Sequence, residues 1–203
     1  MPTADVLARL GLFVVRGFFD SETTASLLAE ARSASRRPAT VGVTGGSAYV
    51  VDETVRRTKW AEVSVEASSL VEERLLRLKP DLERHFGPSL VDCQVPQFLV
   101  YRPGDFFQAH RDSRRDPDAA ERSRERKVAV VMFLNGESPE PREDTYGGGS
   151  LTFYGLIGDS RTNKLGLPLI GEPGLLIGFR PDVLHEVTAV THGERYTIVS
   201  WFR

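Results

Sequence analysis

From residue 95 to the carboxyl end the chain breaks into short runs rich in valine, isoleucine, phenylalanine and tyrosine: VPQFLVY, KVAVVMFLN, SLTFY, GLLIGF, HEVTAV and RYTIVSWF. β-Branched and aromatic side chains suit a pleated, packed surface, and glycine, proline or charged turns separate the runs. A row of such strands must curl over or face a second sheet to bury itself. The expected class is α+β, mainly β, built as a small antiparallel barrel or jelly roll. Gly147 to Gly149 shape a tight lead into one strand rather than a phosphate cradle, since no helix start follows them.

The first half reads differently. GLFVVRGFFDSETTASLLAEA is a short strand and then a helix that begins near Asp20 or Ser21, either of which can cap its free amides. Glu22 suits the positive end of the helix dipole, and Thr24, Leu27, Leu28 and Ala31 share one face. A second helix runs through EASSLVEERLLRLKPDLERHF on Val71, Leu75, Leu78, Leu82 and Phe86. Pro80 predicts a kink or restart in it, and Gly87 with Pro88 its end. These apolar faces need another layer, so the amino-terminal helices are expected to buttress one outer face of the barrel. Residues 36–57, mixing glycine, small residues and arginine pairs, read as an extended connection able to cover a pocket. Residues 114–127, RRDPDAAERSRERK, read as a solvated loop or short exposed helix. Both are candidate lids.

With 203 residues, 40% hydrophobic and 27% charged, the chain is expected to form a single domain, 1–203. Residues 1–94 would supply helical support and lid segments, and 95–203 the jelly-roll core. A net charge of -2 gives no reason to expect nucleic acid or an anionic membrane as partner. Cys93 is the sole cysteine, which excludes an internal disulfide and a thiolate metal cluster, and it reads as a core residue. The amino terminus lacks a basic leader and Arg16 interrupts its apolar run, so no signal peptide or membrane span is expected, and the predicted location is cytoplasmic.

The chemistry centres on YRPGDFFQAHRDSRRDPD. If FFQAHRD is extended, His110 and Asp112 share a face and point into the barrel while Arg111 points away. A buried aspartate needs a cation or hydrogen-bond donors. Iron(II) meets that need, and a third ligand would complete a two-histidine, one-carboxylate face with open positions. His185, in the strand-like segment FRPDVLHEVTAV, is the candidate. Ten residues on, alternation puts Arg195, Thr197, Val199 and Trp201 on one face. An arginine aimed inward is costly unless it meets an anion, and a dicarboxylate fits the guanidinium fork. Tyr101 shares a face with Gln97 and Leu99. His192 is expected in the turn before the last strand, and His85 at a surface or helix end.

Tyr101, Gly104, Phe107, His110 and Asp112 together read Y-x-x-G-x-x-F-x-x-H-x-D, and GGGSLTFY, PGLLIGFRPDVLHEV and GERYTIVSWF follow in order. This set resembles the prolyl 4-hydroxylase-like branch of the iron(II) and 2-oxoglutarate-dependent dioxygenases, closely over about residues 95 to 203. The resemblance implies a double-stranded β-helix (jelly-roll) barrel. It implies that His110, Asp112 and His185 bind iron and act in catalysis, and that Arg195 binds the distal carboxylate of the co-substrate 2-oxoglutarate. Tyr101 would reach the same molecule through its hydroxyl and Thr197 would add a hydrogen bond. Dioxygen is the second co-substrate, with ascorbate as a reductant. Some oxygen-sensing relatives carry a tyrosine immediately before the LN of the central strand, where this chain has Phe133. The implied reaction is hydroxylation of a prolyl or other residue in a protein. A free amino acid or natural-product intermediate is the alternative substrate, and a non-catalytic metal-binding jelly-roll protein the alternative class.

Overall fold

The strand-rich runs assemble into two antiparallel sheets, and the strongest of them are buried on both faces. The structure, a computed structural model, describes residues 3–42, 48–113, 121–158 and 164–203. Its helices are α1 (Ala4–Arg9), α2 (Ser21–Ser33), α3 (Val65–Phe86) and α4 (Glu121–Arg124). The strands of the first half are β1 (Phe13–Val15), β2 (Arg36–Pro38), β3 (Val41–Gly42), β4 (Tyr49–Val50), β5 (Arg56–Arg57) and β6 (Lys59–Ala61). Then come β7 (Gln97–Tyr101), β8 (Phe106–His110), β9 (Val128–Phe133), β10 (Gly136–Glu137), β11 (Thr145–Gly148) and β12 (Leu151–Tyr154). The chain ends through β13 (Gly166–Leu169), β14 (Leu176–Phe179), β15 (Leu184–Val187), β16 (Val190–His192) and β17 (Arg195–Phe202).

A seven-stranded sheet runs β1-β14-β9-β17-β7-β6-β2, and a five-stranded sheet runs β13-β12-β15-β8-β5. A small sheet β10-β11-β16 and the hairpin β3-β4 complete the set. The sequence VAVVMF of β9 shows why the larger sheet is so apolar. Val128, Val130 and Met132 enter one core cluster together with Leu27 and Leu28 of α2 and Val71, Leu75 and Leu82 of α3. Ala129, Val131 and Phe133, one residue out of phase, enter a second cluster with Leu151 and Phe153 of the smaller sheet. A strand covered on both sides has no solvent face on which to place polar residues, so its apolar run is continuous. The fold is mainly β with few helices.

The helices follow from their spacing. Asp20 accepts a hydrogen bond from the Thr23 amide at 2.7 Å, and Thr24, Leu27, Leu28 and Ala31 are the buried residues of α2. Ser64 caps α3 through the Ala67 amide at 3.1 Å, and Gly87 ends it at a φ of 93°, a conformation that glycine adopts without penalty. The helix runs on through Pro80 without the predicted restart. Val71 and Leu75 before the proline and Leu82 after it are fully buried, so both halves are fastened to the same core. Burial of each such side chain contributes about 1.5–3 kcal/mol, enough for two or three of them to offset the lost hydrogen bond.

Two expectations are corrected, and one helix is unforeseen. Residues 36–57 are more than a connection: Arg36 pairs with Ala61 at the edge of the larger sheet, and Arg56 pairs with Phe107 at the edge of the smaller one. The first half therefore adds strands to both sheets as well as helices. Helix α1 had no counterpart in the reading, yet it buries Leu7 beside Leu12 in the inter-sheet cluster. The charged stretch 114–127 is not wholly solvated, because Ser123 is buried and Arg126 is half-buried. Residues 43–47, within the first candidate lid, and 114–120, the first half of the second, lie outside the described residues. Cys93 is buried and bridges to Phe202 in the core. Among the described residues, no helix is long and apolar enough to cross a membrane.

Candidate metal and anion site

Strands β8 and β15 pair antiparallel with His110 directly opposite His185. Side chains of directly opposed residues leave the sheet on the same face, which brings the imidazole rings to 4.3 Å between centroids. Regular pairing stops at His110. Asp112 follows in a bend, where its amide donates to the Pro181 carbonyl at 2.8 Å and its own carbonyl accepts from Arg126 at 3.1 Å. This brace, and not an extended strand, turns the carboxylate toward the histidines. Arg111 is exposed, and its guanidinium reaches the Asp182 carbonyl.

His110, Asp112 and His185 each offer a ligand atom, and the three atoms lie within 4.8 Å of one another. One carboxylate oxygen is 3.5 Å from Nε2 of His110 and the other 3.7 Å from Nε2 of His185. The opposite ring nitrogens are occupied. Nδ1 of His110 meets the Gln108 carbonyl at 2.8 Å, and Nδ1 of His185 meets the Val183 carbonyl at 3.0 Å. A carbonyl can only accept, so Nδ1 carries the proton and Nε2 keeps its lone pair turned inward, the tautomer a metal requires. Phe107 stacks on His110 at 3.5 Å between centroids, and Phe153 and Phe179 flank His185. Burial, with a contribution from His110, pushes His185 down to about 4, so its imidazole is neutral near pH 7. Burial works to raise the Asp112 carboxyl, but the two histidines and Arg126 outweigh it and hold it below the usual carboxylate range. At neutral pH the group presents an anion and inward lone pairs.

The other end of the same cavity is built on β17. Arg195 lies opposite Tyr101 on β7, and Thr197 lies opposite Phe133 on β9. Arg195 is 1% exposed, with its guanidinium carbon 5.2 Å from the Tyr101 ring centre and 5.1 Å from that of Phe133. One terminal nitrogen donates to Thr197 Oγ1 at 3.1 Å. The Nε and the second terminal nitrogen are buried without a hydrogen-bond partner among the described residues. Such a cation is stable only if an anion completes it.

One cavity of about 590 Å³ touches both ends: His110, Asp112 and His185 line it, and so do Tyr101, Arg195 and Thr197. Gln97, Leu99 and Trp201 line it as well, Trp201 at 7% exposure. The other two histidines are elsewhere. His192 ends β16 and packs over Gly147, where an added Cβ would fall 2.1 Å from its ring. His85, the penultimate residue of α3, is half-buried against Phe13 and Phe86 rather than free at the surface.

Two residues at the site escaped the sequence reading. Arg126 braces Asp112, donates to the Gln94 side chain and covers Trp201 at 3.7 Å, but a run of charges hides it. Its only signal is its place two residues before β9. Tyr146 is fully buried behind Arg195, in a strand too short to show a period. The lead formed by Gly147 to Gly149 is a shift of register between Gly147 and Gly148, with φ of 63° and 61° at Gly148 and Gly149. A Cβ on Gly149 would stand 2.8 Å from Val190 and 3.0 Å from Cδ of Arg195, so the bare backbone leaves the arginine its room.

The family model described as the 2OG-Fe(II) oxygenase superfamily matches residues 96–203. Among solved structures, a prolyl-4-hydroxylase from Pseudomonas putida is similar with a TM-score of 0.70 and 25% identity, over 98% of this chain and 96% of that one. A prolyl hydroxylase from Trichoplax adhaerens, in complex with a hypoxia inducible factor oxygen degradation domain peptide fragment, gives 0.73 at 20% identity, over 98% and 86%. The viral collagen prolyl hydroxylase from Paramecium Bursaria Chlorella virus-1 gives 0.59 at 16%, over 95% and 94%. The comparison with curated proteins gives no match.

Proposed function

The chain belongs to the 2OG-Fe(II) oxygenase superfamily, and from that premise we propose that it hydroxylates a prolyl or other residue within a protein. Membership makes it an enzyme, a 2-oxoglutarate-dependent dioxygenase, and implies iron(II), 2-oxoglutarate and dioxygen as its requirements. The observation that carries the reading is a pairing within one cavity: a His-Asp-His group of acceptors at one end and a buried guanidinium with two unpartnered donors at the other. The first is the donor set of a hard-to-borderline cation with open positions, and the second calls for an anion. The residues present fit the groups that the family implies.

In this reading His110, Asp112 and His185 hold the iron, whose chemistry, when loaded with 2-oxoglutarate and dioxygen, supplies oxidation of a C–H bond coupled to decarboxylation of the keto acid. The chain's own residues do the positioning. The carbonyls of Gln108 and Val183 keep the imidazole protons on Nδ1, and Arg126 and the Pro181 carbonyl hold the turn that presents Asp112. Arg195 and Thr197 seat the distal carboxylate of 2-oxoglutarate, and Tyr101 lies against the same molecule. The phenylalanines around the histidines exclude water. We read the two sheets as the walls of a double-stranded β-helix, buttressed by α2 and α3, within a single domain 1–203 whose catalytic core is 95–203. Ascorbate would serve as reductant. The even charge balance and a lone buried cysteine support a reducing compartment such as the cytoplasm.

A peptide is favoured over a free amino acid by two donors in the cavity wall. The side chains of Trp60 and Trp201 both line it, and their indole N–H groups are buried beside it without a partner among the described residues. Main-chain carbonyls are acceptors of the kind they lack, and the neighbours from Pseudomonas putida and Trichoplax adhaerens point to prolyl residues as the first target to try. Purified protein with iron(II), 2-oxoglutarate, ascorbate and a proline-containing peptide library is expected to add the mass of one oxygen atom to some peptides. Turnover of free amino acids with every peptide left unmodified would overturn the substrate assignment.

A further inference from the structure

Behind Arg195, at the anion end of the cavity, lies one polar group that no role yet explains. Tyr146, on β11, is 0% exposed, and its hydroxyl makes no hydrogen bond of ordinary length among the described residues, its polar interaction there being with the Arg195 side chain. A buried O–H without an acceptor costs about 1–3 kcal/mol, so a phenylalanine would be the better choice there if packing were its only task. Space is made for the hydroxyl. A Cβ on Gly171 would fall 2.1 Å from the Tyr146 oxygen and 2.7 Å from Cδ1 of Phe133, so the hydroxyl and the Phe133 ring edge share the room that glycine leaves. The guanidinium carbon of Arg195 is 5.9 Å from the Tyr146 ring centre and 5.1 Å from that of Phe133. Tyr101, Phe133 and Tyr146 thus enclose one cation that has two idle donors of its own.

Resting on the reading of Arg195 as the seat of the distal carboxylate, we propose that Tyr146 is a further residue of that seat, its hydroxyl donating to the carboxylate that Arg195 and Thr197 hold. The three orphaned donors then share one acceptor, and the carboxylate gains a bond that a methyl group at the same place could not accept. Burial pushes the Tyr146 phenol up to about 12 against the opposing charge of Arg195, so it remains a donor throughout the working range. Phe133 itself lacks a hydroxyl, and Tyr146 brings one to its ring edge from the neighbouring sheet.

Calorimetry on the Mn(II)-loaded protein, without turnover, tests this with 2-oxoglutarate and with 2-oxobutyrate, a keto acid that has no distal carboxylate. Tyr146→Phe is expected to weaken 2-oxoglutarate binding roughly ten- to a hundredfold, the range for a hydrogen bond to a charged group, and to leave 2-oxobutyrate unchanged. The ligand-free variant should melt no lower than wild type, because the buried hydroxyl it loses makes no hydrogen bond of ordinary length among the described residues. Phe133→Tyr on the Tyr146→Phe background, which returns a hydroxyl to the same space, should restore the lost affinity. Equal 2-oxoglutarate affinity in wild type and Tyr146→Phe would overturn the assignment, as would a lowered melting temperature with unchanged affinity. A wild type that binds Mn(II) but no 2-oxoglutarate would instead overturn the reading of Arg195.

Discussion

The two ends of the cavity solve opposite problems with opposite states of readiness. At the metal end the outward-facing polar atoms are already bonded: both Nδ1 groups donate to backbone carbonyls, and the Asp112 backbone is tied to Pro181 and Arg126. What remains unbonded are acceptors aimed at one point. At the anion end the surplus is of donors, with Arg195 offering two nitrogens inside the core that have no partner among the described residues. A cation site of this kind can be prepared at moderate cost, since its imidazoles tolerate burial as neutral rings and the Asp112 carboxylate is held by the histidines and Arg126. An anion site cannot, because its guanidinium stays charged whatever its surroundings. The contrast predicts that damage to the first end abolishes metal binding, whereas damage to the second trades affinity for stability.

Asp112→Ala should have the largest effect. It removes the one anionic ligand, and Mn(II) binding measured by calorimetry and succinate formation measured by chromatography should both fall to background. Normal metal affinity in this variant would break the comparison at its first half. Arg195→Met should leave Mn(II) binding intact while weakening 2-oxoglutarate roughly a hundredfold, about 3 kcal/mol, as expected for truncating one partner of a buried charge pair. Its ligand-free melting temperature should be equal to or above that of wild type, since an uncompensated buried cation has gone. A marked loss of stability would show that the guanidinium has an anionic partner without ligand.

The ends also differ in their response to acid. His185 titrates near 6.5 when unfolded and about 4 when folded, so between those values the unfolded chain holds a proton that the folded chain does not. Stability of the metal-free protein should fall as pH drops from 6.5 toward 4, on the order of 2 kcal/mol, with Asp112 continuing the trend at lower pH. Urea titrations at pH 7 and pH 4.5 measure it, and His185→Phe should flatten the slope. The smallest predicted change is Gly149→Ala, with a cost of about 1–2 kcal/mol from the left-handed backbone at φ 61°. By crowding Cδ of Arg195 it should also weaken 2-oxoglutarate while sparing Mn(II). Equal losses for both ligands would erase the distinction between the ends.

How much of this was readable beforehand depended on sequence distance and on period. Thr24, Leu27, Leu28 and Ala31 are buried as their spacing indicates, because the helix face is a local property of consecutive residues. The long apolar strands β9 and β17 were equally plain. The pairings Arg36↔Ala61 and Arg56↔Phe107 were not, since strands of two or three residues are too short to alternate and their partners are set by the rest of the fold. His110, Asp112, His185 and Arg195 could be singled out by type and spacing, Tyr101 and Thr197 by the resemblance of their motifs to a known family, and the structure lines one cavity with all of them. Tyr146 and Arg126 could not. A tyrosine before three glycines and an arginine within a charged run carry no mark of burial until β11 and β9 are in place around them.

If His110 and His185 hold the ion as proposed, their face-to-face setting across β8 and β15 makes that ion a gauge of strand alignment. Sliding either strand by a single residue turns one imidazole to the opposite surface and dismantles the chelate. Of all the misaligned zippings open to the nascent sheet, only the correct one gains the free energy of chelation, so supplying metal during refolding would select that alignment as well as strengthen it.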